Sequence, residues 1–198
     1  MKVYHKTKKC YKMELIERIQ KYLFARALKK DTYIVGQARK AFSWSDMKNI
    51  NILFDATNPT EREVVLQYAD RLRQQGKVVR VLAFINDKLE HSELPFSHFT
   101  LKELTWTSTI KKGTVRVEEF LIQKPDLLIS LFSGESQVLS YLTMRATATY
   151  KIAPFGGGEA LHTDLMFKSN GNNVVKSLIN QIEQFTAKIS QKKHELTV

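Results

Sequence analysis

Asn49-Ile50-Asn51-Ile52-Leu53-Phe54-Asp55, followed at once by Ala56-Thr57-Asn58-Pro59-Thr60-Glu61, is the stretch whose reading decides the fold. A short apolar run bounded by polar residues reads as a buried strand. Asn58 suits an N-cap because its side-chain oxygen accepts from an amide of the first helical turn. Pro59 suits the next position, where a missing N–H costs nothing, and Glu61 sits where a capping box places its carboxylate. Strand, turn and capped helix in that order open a parallel α/β sheet.

The alternation continues downstream. Val64, Val65, Tyr68, Ala69 and Leu72 recur at helical spacing as a buried stripe, and Gly76 ends that helix. Residues 78–85 read as the second strand and 96–100 as a short third. Residues 101–106 are expected to form a helical turn. Thr114 then caps a helix that turns Val117, Phe120 and Leu121 inward and stops at Pro125. Residues 126–132 are apolar on both faces, as a central parallel strand should be. A helix with Leu139, Leu142, Thr143 and Ala146 inward leads to a strand at 149–153, with an edge strand expected at 164–168. The last helix, 173–190, carries Val175, Leu178, Ile179, Ile182, Phe185 and Ile189 on one face. Right-handed crossovers favour the strand order 3-2-1-4-5, with room for a sixth. The expectation is a single Rossmann-like three-layer α/β domain over residues 46–190, with a mainly parallel five- or six-stranded sheet. A basic helical arm and connector (1–45) precede it and a polar tail (191–198) follows.

A chain of 198 residues has room for one domain of about 150 residues once the arm is set aside. A domain of that size buries about two-thirds of its unfolded surface and needs neither disulfide nor metal to hold it. The one cysteine, Cys10, excludes a disulfide framework or a Cys-based zinc site within one chain, and a reducing compartment follows. Lys2, Lys6, Lys8 and Lys9 imitate the start of a signal peptide, but Glu14, Glu17, Arg18, Gln20 and Lys21 interrupt the apolar stretch it would need. No run approaches the roughly 18 apolar residues of a spanning helix. The expected location is cytoplasmic.

The net charge of +11 is uneven. Residues 1–50 carry 13 Lys/Arg against 4 Asp/Glu, a net of +9, and residues 51–198 carry 18 against 16, a net of +2. Within the arm, Leu15, Ile16, Ile19, Tyr22, Leu23 and Leu28 share one helical face and charged residues take the other. Three readings stand open for this basic amphipathic helix. Its apolar stripe packs on the domain, or it docks on RNA or a ribosome-like particle, or Leu15, Ile16, Ile19 and Leu23 enter an anionic membrane surface. The polyanion-binding candidates are Lys2, Lys6, Lys8, Lys9, Lys12, Lys21, Arg26, Lys29 and Lys30. Tyr33, Phe42 and Trp44 are expected to lay the connector, residues 31–48, against the domain. Ser45-Asp46 is expected to cap a short turn there.

The segments NILFDATN, LKELTW, KPDLLISLF and LSYLTMRATATYKI resemble a bacterial family of short cytoplasmic proteins of unknown function. Members carry a lysine-rich helical arm before one Rossmann-like domain. The resemblance runs from about Lys48 to Lys188 and implies an architecture, not a site. A fainter likeness joins DLLISL and ATYKI to the acceptor half of heptosyltransferase-like glycosyltransferases. Those enzymes use a second Rossmann domain for the nucleotide sugar, for which this length leaves no room.

In an open α/β sheet, ligands bind beyond the carboxyl ends of the strands at the topological switch point. That rule selects Asp55, Thr57 and Asn58 from one loop and Ser133, Gly134, Glu135 and Ser136 from the other. Facing carboxylates with hydroxyls nearby suit a metal–phosphate group or a sugar. The plainer reading makes Asp55 and Asn58 turn and cap residues and leaves Glu135 solvated. Gly156-Gly157-Gly158 lacks the Lys-Ser/Thr ending of a P-loop, and the turn after Asp55 lacks G-x-G-x-x-G. Glu159, His162 and Asp164 form a sparse cluster, while His5, His91, His98 and His194 are scattered. Cys10 has no base beside it in sequence. Trp44 and Trp106, with Tyr4, Tyr11, Tyr22 and Tyr33, raise base stacking as a question. No cofactor and no metal is expected. The leading expectation is a non-enzymatic binding or adaptor protein that docks through residues 1–48. The alternative is a small enzyme or ligand-binding domain for a nucleotide or sugar phosphate in the crevice.

Overall fold

The computed structural model describes residues 42–85, 94–100, 103, 115–133, 136–156, 163–168 and 173–195. The elements are β1 (Asn49–Asp55), α1 (Pro59–Gln74), β2 (Val78–Ile85), β3 (Ser97–Thr100), α2 (Val115–Ile122), β4 (Leu127–Leu131), α3 (Gln137–Arg145), β5 (Tyr150–Pro154), β6 (Leu165–Phe167) and α4 (Val174–Glu195). A single 3-10 turn, Trp44–Asp46, precedes β1. The expected arm helix, the helical turn at 101–106 apart from Glu103, and the Thr114 cap lie outside the described residues.

Six strands form one sheet in the order β3-β2-β1-β4-β5-β6, and every pair is parallel. This is the expected Rossmann-like arrangement, with the sixth strand in place. Strand alternation divides the core in two. Ile50, Ile52 and Phe54 of β1 and Ile129 of β4 meet Val65, Tyr68 and Leu72 of α1 and Val175, Leu178 and Ile182 of α4. Leu53 and Leu128 face the other way, toward Val117, Phe120 and Leu121 of α2 and Leu139 and Leu142 of α3. The crossover after β1 therefore runs over one face and the crossover after β4 over the opposite face. The switch point lies between β1 and β4.

Local chemistry fixes the element ends. Asn58 accepts from the Thr60 amide at 3.0 Å, which is the cap that starts α1. At the other end Gly76 has φ +77°, the left-handed conformation that only glycine adopts cheaply. Its amide bonds to Arg73 O at 2.9 Å and the Lys77 amide to Leu72 O at 3.1 Å, a Schellman closure that satisfies two orphan carbonyls. Asp126, expected as the first residue of the fourth strand, instead stands before it as a clamp. One of its oxygens accepts from the Lys48 amide at 2.9 Å, the Asn49 amide at 2.8 Å and the Asn49 side chain at 3.2 Å. The last helix runs beyond the expected end at residue 190 to Glu195. Residues 191–195, Gln-Lys-Lys-His-Glu, contain no glycine or proline to break it.

The described end of the connector, residues 42–48, is laid on the domain as Phe42 and Trp44 predicted, while Tyr33 lies outside the described residues. Phe42 meets the Tyr150 ring edge-on at 5.3 Å and the Phe185 ring at 5.7 Å. Lys77 lies 5.0 Å from the centre of the Trp44 ring and donates to Trp44 O at 2.9 Å. Burial pulls the Lys77 ammonium below its ordinary value, opposed by the charges of Asp126 and Asp46. The turn before β1 starts earlier than expected, with its cap position at Ser43 rather than at Ser45-Asp46. Ser43 holds the cap position without a side-chain cap bond, and its hydroxyl bonds to that of Ser45 at 2.9 Å.

Candidate functional site

Phe54 pairs with Leu131 across β1 and β4, so the two loops of the crevice leave the sheet at the same level. The first loop is built from its own side chains. Asp55 ends β1 half-buried, and its Oδ1 accepts from the Thr57 amide at 2.9 Å, an Asx turn that reverses the chain. The Ala56 amide donates to Phe84 O at 2.7 Å and ties the loop to β2. Asn58 caps α1. Arg62, one turn into α1, reaches back: its Nε donates to Ala56 O and its second terminal nitrogen to Thr57 O at 3.4 Å. Arg62 is not among the residues expected to line the crevice. The signal was its place four residues after Asn58, on the helix face that looks back at the loop.

Glu61 was read as a capping-box carboxylate. The cap bond that forms runs from the Thr60 amide to Asn58, and Glu61 is a partly buried acid near Asp55. Burial, and then the charge of Asp55, hold its carboxyl above the ordinary value of 4.5. Two carboxylates thus sit at the mouth of β1, and Glu61 retains a proton to higher pH than an isolated glutamate.

The second loop is described at its two ends. The Ser136 amide donates to Ser133 O at 3.2 Å, and the Ser140 amide to Ser136 O at 2.9 Å as α3 begins. Ser133 is exposed and Ser136 half-buried, and Ser136 makes no side-chain cap bond. Gly134 and Glu135 lie outside the described residues, as do the nine cationic candidates of the arm. Among the described residues, no group of three or more His, Cys, Asp or Glu side chains is placed to hold a metal ion.

The remaining sequence candidates are dispersed. Asp164 accepts from the Lys151 amide at 2.8 Å and so holds β5, while Glu159 and His162 lie outside the described residues. His98 is on β3, its Nδ1 3.3 Å from Phe96 O. Gly156 has φ +135°, and Gly157 and Gly158 are outside the described residues. Trp44 is engaged by Lys77, and Trp106 is outside the described residues. No described helix is long and apolar enough to cross a membrane.

A family model matches residues 19–189, from within the arm to near the end of α4. The chain belongs to a family of unknown function, DUF6913. The DUF6913 match takes in the connector, all six strands and both crevice loops. No curated protein and no solved structure matches the chain.

Proposed function

We propose that this is a non-enzymatic binding or adaptor protein of the bacterial cytoplasm, docked by its basic N-terminal segment on RNA or a ribosome-like particle. The observation that carries the reading is the charge distribution: a net of +9 over residues 1–50 against +2 over the other 148. A concentrated basic segment neutralises phosphates and releases their counterions, which makes binding strong and salt-dependent. The crevice adds support from the other side. Asp55, Asn58 and Arg62 spend their polar groups on the loop's own backbone. Phe42 and Trp44 supply a fixed point on the domain from which the basic segment departs.

The test is co-sedimentation of the full chain, and of the full chain with Lys2, Lys6, Lys8, Lys9 and Lys12 changed to Gln, with ribosomes and with anionic liposomes. If the segment makes 6–10 phosphate contacts, affinity falls roughly 10³- to 10⁵-fold between about 50 and 200 mM salt. The wild type is expected to pellet with ribosomes at low salt and the variant to stay in solution. Salt-indifferent pelleting, equal pelleting of the variant, or pelleting with liposomes alone overturns the proposal.

A further inference from the structure

β2 has eight residues, but β3 pairs only with its last four, Leu82–Ile85. The outer edge of Val78–Val81 therefore has no described strand beside it. A notch of about 330 Å³ occupies that gap, walled by α1 on one side of the sheet and α2 on the other. Three guanidiniums line it, each from a different element: Arg73 from α1, Arg80 from β2 and Arg116 from α2. Arg73 is engaged, with Asp70 at 2.7 Å and Val79 O at 3.2 Å. Arg80 and Arg116 are exposed and make no hydrogen bond or ion pair with a described residue. Glu119 is the one carboxylate among the described residues of the wall.

Hydrogen-bonding capacity in the notch leans to donors, with Glu119 and Gln123 as the side-chain acceptors of the described wall. The Val78 amide donates to Lys48 O, toward β1, so strand alternation turns the main chain of Val79 to the open edge. Arg73 already takes the Val79 carbonyl, which leaves the amide as a donor. The Ser97 hydroxyl adds another donor group. A peptide strand laid on this edge would need acceptors as well as donors, and the first acceptor is occupied. An oxyanion needs donors alone. Guanidiniums arriving from three elements suit a tetrahedral group with several equivalent oxygens better than a planar carboxylate. Phe96 and Phe120 give the notch apolar walls, and its volume lies at the lower end of the range for small-molecule pockets.

We propose that this notch binds the phosphate group of a small phosphorylated organic molecule, held by Arg80 and Arg116 with Arg73 in support. The site is distinct from the crevice and does not depend on the basic segment.

The test is titration of isotope-labelled full chain with inorganic phosphate, adenosine monophosphate and adenosine at matched ionic strength, followed through the amide signals of Val79, Val81 and Ser97. Phosphate and adenosine monophosphate are expected to shift these signals saturably, and adenosine is not. Arg80→Gln with Arg116→Gln should weaken the nucleotide at least about tenfold, the scale of losing charge-assisted hydrogen bonds. The Lys pair, Arg80→Lys with Arg116→Lys, keeps the charge but loses the forks and should fall between. Both arginines are exposed, so the variants should keep the spectrum of the folded chain. Unmoved amides at millimolar ligand, or a double Gln variant that binds as the wild type does, refutes the proposal. A response to single-stranded RNA without one to adenosine monophosphate refutes the small-ligand assignment.

Discussion

Ser130 on β4 and Thr143 on α3 share a hydroxyl–hydroxyl bond of 2.8 Å, with the two residues 1% and 0% exposed. It is a polar link inside a largely apolar layer between sheet and helix, so removing it tests how the layer is satisfied. Ser130→Ala leaves the Thr143 hydroxyl without that partner, at a cost of about 1–3 kcal/mol for a buried orphan. Thr143 sits in a helix and has a fallback, the carbonyl four residues back, so the loss should lie near 1 kcal/mol. Thr143→Val strands the Ser130 hydroxyl on a central strand whose carbonyls are already paired, so its loss should lie nearer the upper end. The double variant removes both polar groups together and should cost about 1 kcal/mol less than the sum of the singles. Equilibrium urea unfolding of the four chains measures this, with an unchanged denaturant slope showing that the same surface is exposed. For a chain of this size, 1 kcal/mol corresponds to about 2–4 °C in Tm. Singles that add to the double within about 0.3 kcal/mol would mean the bond contributes nothing, and the argument from orphaned groups would fail.

Gly76→Ala should cost about 1–2 kcal/mol by backbone strain alone, because φ is +77° and no atom lies within 4 Å of the added methyl. Gly76→Asn should cost less, and equal losses in urea unfolding would argue against strain as the cause. For Glu61 the sign follows from linkage: a carboxyl raised above its unfolded value means that the folded chain binds more protons in that window. Its contribution is full below the ordinary value of 4.5 and is lost as pH rises through the folded value. The Tm of Glu61→Gln relative to wild type should accordingly rise between pH 4 and pH 7, and Asp55→Asn should lower the Glu61 pKa followed by carboxyl NMR; a flat difference contradicts the assignment. Phe42→Ala removes two ring contacts of a half-buried residue and should cost about 1–2 kcal/mol in the same unfolding assay. The Arg71–Glu183 pair joins α1 to α4 at 2.9 Å, but both side chains are over 40% exposed, so Glu183→Gln should change stability by less than about 1 kcal/mol.

The fold was legible because it rests on periodicity and punctuation. The strand core from Ile50 to Phe54, the Asn58-Pro59 start and the Gly76 stop each encode one local event, and right-handed crossovers leave few ways to order the strands. Asp126 was misplaced for a related reason. An acid next to an apolar run can open the strand or clamp its neighbour, and only the pairing of Asn49 beside it shows that it clamps. The candidate site was legible as a location and not as chemistry. A sequence places Asp55, Thr57 and Asn58 in the loop at the switch point, but it does not say where their polar atoms turn. Here those of Asp55 and Asn58 turn inward to nearby backbone amides, and Arg62 closes over the carbonyls.

The notch beside β2 was illegible for a stronger reason: it is made by an absence of pairing. Arg73, Arg80 and Arg116 are far apart in sequence and belong to no motif. What unites them is that β3 is half as long as β2 and begins opposite Leu82 rather than opposite Val78. A full-length β3 would cover the Val79 edge, and the arginines would then be ordinary surface charges on two helices and a strand. Part of their presence is defensive, since cations along an uncovered edge discourage pairing with another chain, and the Arg73 bond to Val79 O does that directly. Defence accounts for Arg73, whose fork is used on the edge itself. It accounts less well for Arg80 and Arg116, which guard no carbonyl and pair with no described acid. Two unpaired guanidiniums facing one gap repel each other, and an anion between them relieves that repulsion. On this reasoning, phosphate should raise the stability of the wild type more than that of the Arg80→Gln, Arg116→Gln chain at equal ionic strength. Equal stabilisation of both would reduce the cluster to edge protection.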